Sequence, residues 1–141
     1  MTNKITTQTA IITYNNISRI LRIEILPDSE IEIADALQNY EATKILTKKD
    51  KYLVLVDGRV SLSVSKEAKA FAAQSKNDGR TATALLFTST ANKLIGNFYI
   101  KVNKPTVPTK IFSSEQKAIE WLETFLYKTE IKSQLTYVEK Q

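Results

Sequence analysis

The sequence predicts an α/β protein in which a β-hairpin is followed by alternating helices and strands, in the order β-β-α-β-α-β-α-β-α. Three observations predict it. Two β-rich runs flank Asn15-Asn16 near the start of the chain. Short apolar runs, YLVLVD (Tyr52–Asp57) and TATALLFTS (Thr81–Ser89), alternate with segments whose apolar residues recur at helical spacing. Serines stand just ahead of helical stretches as capping residues. Strands separated by helices must be joined by right-handed crossovers, which gives a mostly parallel sheet.

The hairpin is TAIITYNNISRILRIEIL (Thr9–Leu26). Asparagine tolerates the positive φ of a tight turn, so Asn15-Asn16 is the expected bend. In the second run Ile17, Leu21, Ile23 and Ile25 are assigned to one face and Ser18, Arg22 and Glu24 to the other, as in a strand buried on one side. The segment Leu26–Asp50 is expected to be a helix. Ser29 with Glu32 forms a capping box, and Ile33, Ala36, Leu37 and Tyr40 form the inner stripe. YLVLVD lacks in/out alternation and is β-branched, the pattern of a central strand covered on both faces.

SKEAKAFAAQSKNDG (Ser65–Gly79) is a second helix, stopped by Asn77-Asp78-Gly79. Its inner face, Ala68, Phe71 and Ala72, is mostly small, so it is expected to pack close to the sheet. TATALLFTS is the next strand. TANKLIGNFYIKVNKPTVP (Thr90–Pro108) carries the stripe Leu94, Ile95, Phe98, Tyr99 at helical spacing, although Gly96 lowers helix propensity. TKIF (Thr109–Phe112) is a short strand. SSEQKAIEWLETFLYK (Ser113–Lys128) is a helix with a Ser113–Gln116 capping box and a core face of Ala118, Trp121, Leu122 and Phe125. The tail from about residue 129 reads equally as a helical extension or an added strand.

The 141 residues fit one domain, with 43% hydrophobic and 25% charged residues, which are globular proportions. There is no cysteine and no histidine. Disulfides, thiolate metal sites, and Ser–His or Cys–His catalysis are therefore excluded. A carboxylate- or lysine-based enzyme is all that chemistry leaves, and the chain is read as a non-enzyme without cofactor or metal. No segment approaches the ~18 apolar residues of a membrane span, and the N-terminus has no signal-peptide pattern, so a cytoplasmic location is expected. The net charge of +5 is spread along the chain without a nucleic-acid-binding signature, so nucleic acid is not an expected partner.

The pieces YLVLVDGR, ALLFTSTANKLIGNFYIKVNKP and KIFSSEQKAIEWL, in this order, resemble the SpoIIAA-like branch of the STAS-fold proteins, relatives of bacterial anti-sigma-factor antagonists. The resemblance spans nearly the whole chain apart from the first residues and the tail. It implies a four- to five-stranded mixed sheet with helices mainly on one face, and a small cytoplasmic bacterial protein without a cofactor. In phosphoregulated members, a hydroxyl in an Asp-Ser-Ser/Thr-Gly motif opening the helix after the central strand accepts a phosphate. The matching place here is Ser61–Ala68. Ser65 falls nearest the acceptor, but Ser63 and Val64 stand where the aspartate would be, and Lys66 and Glu67 where the glycine would be.

Two sets of residues are singled out as candidate sites. Ser61, Ser63 and Ser65 form the serine loop. Ser65 reads as a helix N-cap, or as a phosphoacceptor favoured by the helix dipole. Asp57, Gly58 and Arg59 lie at the carboxyl end of the central strand, where open α/β sheets bind ligands. They read as a turn or as a polar anchor. With the stripe Leu94, Ile95, Phe98, Tyr99 they form the expected binding surface. The expected function is a protein-interaction module, partnered or self-associating as a homodimer, with a role in bacterial signalling. The alternative is a binder of lipid or another hydrophobic small molecule through the same stripe, by analogy with Sec14-type carriers.

Overall fold

The computed structural model describes residues 3–48, 50–74 and 79–126. Strands β1 (Lys4–Thr6), β2 (Ala10–Asn15) and β3 (Ile20–Ile25) form an antiparallel meander with Ile12 opposite Ile23. Ala10, Ile12 and Tyr14 alternate with less buried residues, as one covered face requires. The turn between β2 and β3 is wider than expected. The Asn15 side-chain oxygen accepts from the backbone N–H groups of Ile17 and Ser18, and Arg19 takes the positive φ of 61°. Ile17 therefore stands in the turn, 86% exposed, and does not share the face of Leu21, Ile23 and Ile25.

A second difference follows Pro27. Residues Ser29–Ile31 form a strand, β4, and not the first turn of a helix. Ser-Glu-Ile alternates well enough for a strand, and a later segment supplies its parallel partner, β6 (Leu62–Val64). The capping box moves three residues on. Glu32 caps α1 (Ile33–Thr47), and its backbone N–H donates to Asp35 Oδ2 at 2.9 Å. The inner face of α1 is Ala42, Thr43, Leu46 and Thr47, whereas Ile33 and Leu37 are exposed. Thr43 and Thr47 lie inside because each hydroxyl donates to a carbonyl one turn back, Asn39 O and Thr43 O.

From there the chain runs β5 (Tyr52–Asp57), β6, α2 (Lys66–Gln74), β7 (Arg80–Leu86), α3 (Thr90–Phe98) continuing as a π turn (Tyr99–Asn103), β8 (Thr109–Phe112), and a helix over residues 115–126, here α4, which is the expected order with β6 added where a loop was expected. The sheet order is β1-β2-β3-β5-β7-β8, with β3, β5, β7 and β8 parallel. The mixed α/β sheet expected from the sequence is thus present, with six strands among the described residues where four to five were expected. The unforeseen strand of this sheet is the short β1, and the equally unforeseen β4 and β6 pair with each other apart from it. β5 sits centrally and is covered on both faces.

Helices α1, α2 and α3 cover one face of the sheet, and α4 covers the other. Beneath α4, Ala118 and Leu122 pack on Leu53, Leu55, Ala82, Ala84 and Leu86. Full burial of a leucine such as Leu122 stabilises by about 2–3 kcal/mol. Trp121 lies at the margin of this layer, in ring contact with Phe112 and Phe125. The α4 cap is Ser114, whose hydroxyl accepts from Lys117 N, one residue beyond the expected Ser113. Gln116 instead bonds Glu120 along the helix. The expected helix stop at Asn77-Asp78 and the tail from residue 129 lie outside the described residues. Among the described residues no helix is long and apolar enough to cross a membrane.

Candidate functional site

Asp57 ends β5 on the α4 side of the sheet, its side chain aligned with Leu53 and Leu55 by the strand alternation. It is only 7% exposed. Arg59 grips it with two donors, Nε to Oδ1 and Nη2 to Oδ2, both at 2.9 Å. Arg22 from β3 reaches Oδ2 at 2.6 Å and also Glu115 at 2.7 Å, and Arg59 touches Glu115 at 3.2 Å. Two guanidiniums and two carboxylates thus close a neutral cluster. The Arg59 hydrogen bonds hold the Asp57 carboxyl below the usual carboxylate range, against the opposing effect of burial, with the charge of Arg22 adding to them. Such a carboxylate is a weak general base and is occupied on both oxygens. Asp57 and Arg59 do come together, but as a structural clamp with Arg22 and Glu115.

Gly58 lies under Phe87, and a Cβ there would fall 2.2 Å from Phe87 Cε1. From α3, the Asn92 amide donates to Gly58 O and Val60 O, fastening the loop after β5 to that helix. Ser61 and Ser63 are exposed on the following segment, and Ser61 O accepts from Asp28 N. Ser65 is half-buried, and its hydroxyl accepts from Ala68 N at 3.1 Å, as an N-cap of α2 does.

The α3 stripe is divided between two surroundings. Leu94 and Phe98 point outward, 65% and 52% exposed, and Val102 on the π turn continues them at 56%. Lys69 of α2 places its ammonium 4.7 Å from the Phe98 ring centre. Ile95 and Tyr99 face inward and line a cavity of about 180 Å³ between α1, α2, α3 and the sheet. Burial pushes the Tyr99 phenol up to about 12, with the charge of Arg80 working the other way.

The cavity corrects one expectation directly. Ala68 is buried, but the small inner face of α2 does not close onto the sheet. Phe71 instead meets Tyr40 of α1 edge-to-face, ring centres 5.7 Å apart. Two large rings prop the helices, while Ala36, Ala72 and Gly96 are too small to fill the space behind them. Thr83 of β7 projects into this space, 5% exposed, and its hydroxyl has no hydrogen-bond partner among the described residues.

A family model for a domain of unknown function, DUF7793, matches residues 5–126. The chain belongs to the DUF7793 family. Among solved structures, an uncharacterised DUF3478-family protein with a SpoIIAA-like fold from Shewanella loihica PV-4 is similar at a TM-score of 0.54 and 13% identity, over 84% of this chain and 90% of that one. A protein of unknown function from Arthrobacter sp. FB24 is 27% identical over 84% of this chain and 95% of that one, at a TM-score of 0.31. No curated protein matches the chain. The SpoIIAA-like relationship expected from the sequence therefore holds at the level of fold.

Within this DUF7793 domain, sequence reasoning missed Arg22, Glu115, Asn92, Arg80 and Thr83. Asn92 carried a usable signal, since a short amide inside an apolar helix competes with the backbone unless it has a specific partner. Arg22 and Glu115 carried none, because residues so far apart in the chain meet only through the sheet order.

Proposed function

We propose that this DUF7793 chain is a single-domain, non-catalytic docking module of the bacterial cytoplasm that holds a protein partner on the outward face of α3. The observation that carries this reading is the apolar row Leu94, Phe98 and Val102, exposed on successive turns of one helix face. Burying each of these side chains in an interface is worth about 1.5–3 kcal/mol before the cost of association. Lys93 and Lys101 are neighbours of the row in sequence and Lys69 stands over Phe98, so the fitting partner presents an apolar ridge with an acidic rim. Regulation of a signalling partner is the role the fold suggests by analogy. Exposed Ser61 ends the loop that Asn92 ties to α3 and exposed Ser63 lies on β6 just beyond it, where a phosphate would add two negative charges to the same side of the module.

The test is in-cell photo-crosslinking from position 98, with position 17 as an exposed control on an isolated turn. A defined crosslinked protein at position 98 that disappears in a Leu94→Ser, Val102→Ser double variant supports the reading. The same products from both positions, or none from 98, overturns it. Sedimentation of the purified chain shows whether the crosslinked protein is a second copy.

A further inference from the structure

We propose that the cavity between α1, α2, α3 and the sheet is a binding site for a small apolar monocarboxylate, its carboxylate accepting from the Thr83 hydroxyl in the field of Arg80. Three independent features of the cavity lead there. The first is size and lining. A volume of about 180 Å³ bounded by Ile23, Ile25, Val56, Leu85 and Ile95 is larger than a packing gap. It is comparable with the cavity of about 150 Å³ that holds benzene in an engineered protein, so it admits one ring or a chain of about eight carbons.

The second feature is the Thr83 hydroxyl. A buried hydroxyl without a partner is costly, and native interiors seldom keep one. Two other polar side chains of the lining are already committed elsewhere. Asn39 is engaged with Thr7 and Thr9, and Thr43 with the carbonyl one turn back. An acceptor entering the cavity would supply it.

The third feature is charge. Among the described residues that line the cavity, Arg80 and Lys69 are cationic and none is a carboxylate. Arg80 is there because of an irregularity in the sheet. Tyr52 pairs with Arg80 and Leu53 with Ala82, so Thr81 is an extra residue in β7. Without that bulge, strict alternation would place Arg80 on the α4 face with Ala82 and Ala84. With it, Arg80 shares the cavity face with Thr83. Bulges that re-aim one side chain are common beside functional sites. A cation turned into an apolar chamber selects an anionic head over a neutral or cationic one.

The experiment is a titration of the methyl resonances of Ile23, Val56, Leu85 and Ile95 with octanoate, octan-1-ol and octylamine. The expected result is saturable shifts with octanoate, with an affinity about tenfold or more above that of octan-1-ol, the difference a charge-assisted hydrogen bond makes. Thr83→Val keeps the shape of the side chain, preserves or raises stability, and weakens octanoate several-fold. Ala72→Leu fills the cavity and removes the shifts for octanoate while the remaining spectrum stays folded. Equal affinity for acid and alcohol, or a preference for the amine, overturns the assigned head group. Absence of shifts at millimolar octanoate, or octanoate binding unchanged in both variants, overturns the site itself.

Discussion

Asn92 holds Gly58 across the boundary between α3 and the central strand: its amide donates to Gly58 O at 2.8 Å and, with the second hydrogen, to Val60 O at 2.7 Å. Asn92 and Gly58 are buried and Val60 is half-buried, so the Gly58 carbonyl depends on this amide. Asn92→Leu keeps the size and removes both donors. It is expected to cost about 2–3 kcal/mol in urea denaturation. Asn92→Asp should be worse, since a carboxylate would then face two carbonyl oxygens.

Gly58 is constrained from the opposite side. Its backbone is not in the left-handed region, so the restriction is one of space alone. A Cβ would meet Phe87 ring atoms at 2.2 and 2.7 Å, and Phe87 is buried. Gly58→Ala is expected to lose about 2 kcal/mol or more, and a Phe87→Leu second change should restore part of it by making room. The double-mutant cycle is the check.

The Asp57 clamp gives a pH signature. The folded carboxyl is held below its unfolded value, so its contribution to stability is complete above that unfolded value, near pH 4, and is lost as pH falls through the folded one. The wild type should therefore lose more stability on acidification below about pH 4 than Asp57→Asn does. At neutral pH the variant is expected to be less stable by about 1–3 kcal/mol, because Arg59 and Arg22 keep only Glu115. Parallel acid titrations followed by circular dichroism decide it.

Ser65→Ala removes the N-cap of α2. The expected loss is about 1 kcal/mol, or about 3–5 °C in Tm, with crosslinking from position 98 unchanged. A larger change in crosslinking than in Tm would mark Ser65 as part of the docking surface.

Much of the fold was legible because local pattern and long-range packing agree there. YLVLVD has no polar alternation and is the central, doubly covered strand. Ala118, Trp121, Leu122 and Phe125 recur every three to four residues and cover the sheet. Where several local solutions were open, pattern misled. Ser29–Ile31 suits a helix start as well as a strand, and only pairing with β6, Ser29 against Leu62, decides for the strand. Ile33 and Leu37 look like an inner stripe, but α1 turns Thr43 and Thr47 inward, since their hydroxyls are satisfied by their own helix. The candidate site was less legible than the fold. Asp57 and Arg59 were found as neighbours in sequence, whereas the partners that close their cluster come from β3 and α4.

By itself the sequence determined the alternation of elements, the place of the central strand, the absence of histidine and cysteine chemistry, and the apolar character of α3. These are properties of composition and short-range periodicity. The tertiary structure alone decided which half of the α3 stripe is covered, that two propping rings leave a cavity above the sheet, and that a one-residue bulge turns Arg80 toward it. The physical reason is that periodicity assigns a residue to a face of its own helix or strand, whereas what lies against that face depends on residues far along the chain and on how completely their volumes fill the space between them.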